Sequence, residues 1–133
     1  MSGVAIARYV LANAAAVTAQ VPAARIFIGN IPTNTALPAI GIAHISGTER
    51  DTVSLAEASR FRRDRVQVTV HAATYGAKVS ILDLARTALS PKRGTLNGYD
   101  VDSIMQAGEG PDFDDEAARI YERSRDFMVA WRT

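Results

Sequence analysis

The chain has 133 residues, 47% hydrophobic and 22% charged, which fits one globular domain over residues 1–133 and excludes a disordered or membranous chain. A formal net charge of +1 excludes binding to nucleic acid by global charge, so any electrostatic partner has to be met by a local patch. There is no cysteine, which excludes disulfides and thiolate metal sites and fits assembly in a cytosol.

The first 17 residues, MSGVAIARYVLANAAAV, lack the basic start and continuous apolar run of a signal peptide, because Arg8 and Asn13 interrupt them. No segment approaches the roughly 20 apolar residues of a membrane-spanning helix. Ile6, Val10, Ala14 and Val17 recur at helical spacing, so a helix is predicted over residues 4–19, closed by Pro22. A short β-prone run follows at 25–28 and stops at Gly29 and Asn30. IPTNTALP reads as a loop, and a second strand is predicted at 39–45.

Residues 47–64 are charged and only weakly periodic, and read as a long hairpin arm between the second and third strands. The third strand, 65–71, has the clearest pattern. Val66, Val68 and Val70 share one face, while Arg65, Gln67, Thr69 and His71 share the other. A second helix is predicted over 74–89, with Ile81, Leu82, Ala85 and Leu89 on one side and Ser90-Pro91 at its end. A strand at 99–106, an acidic loop EGPDFDDE and a last strand at 119–131 complete the chain. Good helix formers in EAARIYERSR compete with that last assignment, but FMVAW favours a strand. The element order is α-β-β-β-α-β-β. It predicts an α+β fold, a mostly antiparallel sheet of four to five strands with two helices packed on one face.

Chemistry is sparse. His44 and His71 lie on separate predicted strands without ligand-spaced partners. No phosphate-cradling glycine loop is present. Glu109, Asp112, Asp114, Asp115 and Glu116 do not have the spacing of a calcium loop and read as solvated, or as an acidic contact surface. The charge feature that stands out is Arg60, Arg62, Arg63 and Arg65. Asp64 interrupts it and Phe61 is its only aromatic companion, which weighs against a dedicated nucleic-acid binder. Pairing with acidic residues of an adjacent copy is the favoured reading. Trp131 reads either as an interface anchor or as a plain central-strand residue. The expectation is a protein with no catalytic residue, no metal site and no cofactor.

Taken together, RIFIGNIP, LPAIGIAHISGT, RVQVTVHAATYGAKVSILDLARTAL and the terminal SRDFMVAW resemble the tail-completion, or tail-terminator, proteins of long-tailed phages, prophages and gene-transfer particles. The resemblance spans nearly the whole chain, and its most specific part is 65–89. It implies a structural virion protein, not an enzyme, assembled in the bacterial host cytoplasm. It implies a ring of copies, commonly six, at the head-proximal end of the tail. Its partners would be the tube protein below and the head connector above. DNA would meet it only by passing through the lumen, and no membrane is involved. The alternatives are another head–tail connector or minor tail protein of similar fold, or a small DNA-binding domain using the 60–65 arginines.

Overall fold

The structure, a computed structural model, describes residues 2–50, 53 and 60–132. Helix α1 (Ser2–Ala12) and the single turn α2 (Ala15–Thr18) occupy the stretch expected as one helix. The break falls at Asn13, whose side-chain amide donates to the Tyr9 carbonyl at 2.8 Å and so competes with the helical backbone. A 3-10 turn at Ala23–Arg25 leads into β1 (Ile26–Ile28), followed by β2 (Ala39–Glu49) and β3 (Phe61–Ala72). Helix α3 (Tyr75–Leu89) comes next, its start capped by the Thr74 hydroxyl accepting from Ala77 N. Strands β4 (Lys92–Leu96), β5 (Tyr99–Asp115) and β6 (Ile120–Arg132) end the chain.

The sheet has six strands in the order β1-β2-β3-β6-β5-β4. That corrects the expected four to five strands and the α-β-β-β-α-β-β order. The sheet is also mixed, because β1 runs parallel to β2 while the other neighbours are antiparallel. The missed strand, β4, is an edge strand whose residues are exposed except at Leu96, so burial imposes no alternation on its sequence. The expected arm is largely strand. Gly47, Thr48 and Glu49 pair with Asp64, Arg63 and Arg62, and Arg50 N–H donates to the Phe61 carbonyl at 2.9 Å. The rest of that arm, 51, 52 and 54–59, lies outside the described residues.

The expected acidic loop is also strand. β5 continues to Asp115 and turns at 116–119 into β6, with register shifts at Gln106/Gly108 and Glu109/Asp112. Glycines 108 and 110 and Pro111 sit in this irregular stretch, where extra residues can be absorbed as bulges.

Both long helices pack on one face of the sheet. Ile6, Val10 and Leu11 of α1 and Ile81, Leu82 and Leu89 of α3 join Ile40, Val66, Val68, Val70, Phe127 and Val129 in one continuous core. On β3 the inward positions are even-numbered, and Val66, Val68, Val70 and Ala72 are fully buried. The odd-numbered positions, from Phe61 to His71, form part of the opposite, helix-free face.

Candidate functional site

The alternation of β3 splits the arginine cluster. Arg62 and Asp64 lie on the helix-covered side, and Arg63 and Arg65 on the open face. Asp64 is completely buried. Its Oδ2 accepts from Trp131 Nε1 at 2.8 Å and from Gly3 N–H at 3.2 Å, at the start of α1. Its Oδ1 accepts from Arg62 Nη2 at 2.9 Å. One carboxylate thus joins the first turn of α1, the base of the arm and the end of β6. Trp131 is 3% exposed, sits in the core and stacks edge-on against Tyr99 with ring centroids 5.0 Å apart. Its indole faces the inside of the subunit.

Arg65 pairs with Asp126 at 2.9 Å and donates to the Ala107 carbonyl at 3.2 Å. Arg60 is half-buried just before β3, and Arg63 is exposed with no ionic partner among the described residues. Beside Arg63, three hollows of about 240, 310 and 570 Å³ share residues and form one groove across the open face. Met105, Met128 and Ala130 line it, with Arg50, Arg63, Lys92 and Arg93 along it and Asp102 as the carboxylate among its lining residues. Arg50 and Arg132 both lie over the Phe61 ring, at 6.0 and 5.7 Å from its centroid.

At the other end of the sheet the β5–β6 hairpin rests on the first turns of α3. The Lys78 side chain has no solvent exposure and pairs with Asp112 at 3.0 Å and with Asp114. Its ammonium also stands 4.2 Å from the Tyr75 ring centroid. Arg123 Nε donates to Asp112 at 2.8 Å, and the Tyr75 hydroxyl donates to the same carboxylate at 2.9 Å. Burial pushes the Lys78 pKa down, but the hydrogen bonds to Asp114 and Asp112 outweigh it and leave the pKa above its ordinary value. Bonds from Lys78, Tyr75 and Arg123 lower the Asp112 carboxyl from 3.8 to about 2, and Asp112 in turn raises Arg123. Two of the acidic residues expected to be solvated, Asp112 and Asp114, are therefore tied to α3 while staying partly in water. Glu109 pairs with Arg125, and Asp115 accepts from Ala118 N at 3.1 Å.

His44 and His71 are not brought together; His71 Nε2 lies 3.1 Å from Glu122 on the open face. Among the described residues no cluster of His, Asp and Glu has the geometry of a metal site, and no helix is long and apolar enough to cross a membrane.

Two residues that organise the structure were not singled out in the sequence, Asp64 and Lys78. Both occupy positions that spacing marks as inward, where a charge reads as a break in the pattern. Asp64 continues the inward series of Val66, Val68 and Val70. Lys78 sits three and four residues before Ile81 and Leu82 on the apolar stripe of α3.

The model of the family described as "Tail completion protein gp17" matches residues 7–131. A solved chain from a particle described as "Virion of native gene transfer agent (GTA) particle" superposes with a TM-score of 0.64, covering 99% of this chain and 97% of that chain at 13% identity. At that identity the likeness is one of fold. A search of curated protein sequences gave no match.

Proposed function

Because the chain belongs to the tail completion protein gp17 family and is thus a phage tail structural protein, we propose that it is a tail terminator. Copies of it, six on the expectation for such rings, form a ring on the head-proximal end of the tail tube. The ring stops tube growth and offers a docking surface to the head connector. Its partners are other copies of itself, the tube protein and the connector; DNA meets it only in the lumen. It acts by binding, without catalysis or a cofactor.

The observation that carries this reading is the extent of the family match, 7–131, which takes in helix α3, β1 to β5 and all of β6 but its last residue. The physics is consistent with it. A contact between two different surfaces of one subunit closes into a ring when the rotation allows, and otherwise grows as a filament. The open sheet face, with its groove and its exposed Arg63, supplies one such surface. Of the residues expected at interfaces, Arg63 is exposed on the open face and would meet a neighbour. Arg65 adds charge on that face while tied to Asp126, whereas Arg62 lies on the other side, tied to Asp64. Trp131 would support the arm from within.

The DNA-binding alternative is weakened by the same geometry, since Arg62 and Arg65 already hold carboxylates and face opposite sides of the strand. The test is the length distribution of tail tubes by negative-stain microscopy, with the protein present and removed. Overlong tubes on removal, restored to uniform length by adding it back, are expected. Tubes of normal length that fail to join heads would make it a connector component instead.

A further inference from the structure

The open-face groove is a basic-rimmed methionine trough, and an acidic hairpin tip on the same chain has the complementary chemistry. Phe113 lies on β5 opposite Glu122, on the open-face side, and is 63% exposed. It is the most exposed aromatic residue among the described large hydrophobics. Asp112, Asp114, Asp115 and Glu116 flank it in sequence; Asp112 and Asp114 are paired with Lys78, which leaves Asp115 and Glu116 as the carboxylates the tip can offer. Phe113 is thus the one exposed large apolar side chain offered at a charged tip among the described residues.

The trough offers the matching surface. Met105 is 51% exposed, and Met128 and Ala130 line the central hollow of about 310 Å³ beside it. Methionine sulfur makes favourable contacts with aromatic rings and adapts its shape to them. Arg50 and Arg63 stand at this hollow, and Lys92 and Arg93 at the adjoining one. The tip cannot reach its own trough. Glu122, level with Phe113, and Met128 are six residues apart on one extended strand, a separation of about 20 Å.

We propose that the β5–β6 hairpin tip of one copy seats Phe113 in the Met105–Met128 trough of the next copy, with Asp115 and Glu116 facing Arg50 and Arg63. This rests on the ring reading above and names the contact that would build the ring. Two different surfaces are used on each subunit, so every copy has one tip and one trough to offer, and the chain of contacts can close.

The absence of native cysteine allows a direct test on the full chain. Three variants are compared after mild oxidation: Phe113→Cys, Met105→Cys, and both together. Because both side chains are at least half exposed, circular dichroism spectra matching the parent are expected and check the fold. The double variant is expected to give a ladder of disulfide-linked oligomers ending at the ring's copy number, and each single variant to stay monomeric on denaturing gels. Phe113→Ala, read by analytical ultracentrifugation, is expected to lower self-association at least tenfold. Two outcomes overturn the seating and leave the ring reading intact: a parent that forms rings while the double variant gives no ladder, or a single variant that crosslinks to itself. A parent that stays monomeric both free and on tube ends overturns the ring reading, and this contact with it.

Discussion

Two buried charges sit at opposite ends of the helix-covered side of the sheet, and they are satisfied in different ways. Asp64 is held largely by donors that cannot leave the interior: the Trp131 indole, the Gly3 backbone and, from the edge, Arg62. Lys78 is held by Asp112 and Asp114, whose side chains keep 33% and 25% of their surface in water. The difference lies in what remains when each is removed. Without Asp64, buried N–H groups are stranded. Without Lys78, its carboxylates can turn to solvent.

The largest expected effect follows directly. Asp64→Ala should destabilise the fold by about 3–5 kcal/mol, the range for breaking a buried charged network, read by urea denaturation. Asp64→Asn, which keeps one acceptor, should lose less. Lys78→Ala should cost about 2–3 kcal/mol, because its partners can rehydrate. Were Lys78→Ala to cost more than Asp64→Ala, the contrast between the two ends would be wrong. Trp131→Phe, which removes one donor to Asp64 and trims the ring, should cost about 1–2 kcal/mol.

Acid should loosen the Lys78 end. Asp112 has its carboxyl lowered from 3.8 to about 2 in the folded chain, so its contribution is complete above pH 4. It should fade as the pH falls from 4 towards 2, loosening the hairpin from α3. Tyr75 fluorescence and backbone amide exchange at 109–115, followed between pH 5 and 2, would track this. The smallest effect on stability is expected for Arg63→Ala, within about 0.5 kcal/mol, since Arg63 is exposed and has no ionic partner among the described residues. Any effect of that change should appear in assembly instead.

Much of the architecture was legible because burial writes a period into the sequence. Val66, Val68 and Val70 announce β3, and Ile81, Leu82, Ala85 and Leu89 announce the inner stripe of α3. The signal fails where a position is inward but polar, or regular but unburied. Asp64 and Lys78 are inward, and a charge at such a position reads as a break in the pattern until its partners are known. β4 is regular but exposed, so nothing constrains its alternation. The stretch from Glu109 to Asp115 contains turn-forming residues, yet pairing with β6 holds it as strand across a register shift at Glu109/Asp112. The surfaces offered for assembly were only half visible, because the arginines were adjacent in sequence and alternate between faces in space.

The carboxylate of Asp64 also leaves a mark on its neighbours. A Cβ added at Gly3 would come within 2.7 Å of Asp64 Cβ and Oδ2, and one at Gly47 within 2.5 Å of Oδ1 and 2.7 Å of Arg62 Nη2. Three segments far apart along the chain are therefore bound into one inherited unit. A side chain at position 3 or 47 would have to displace the Asp64 carboxylate or its partner Arg62. Among relatives, Gly3, Gly47 and Asp64 should be kept or replaced together.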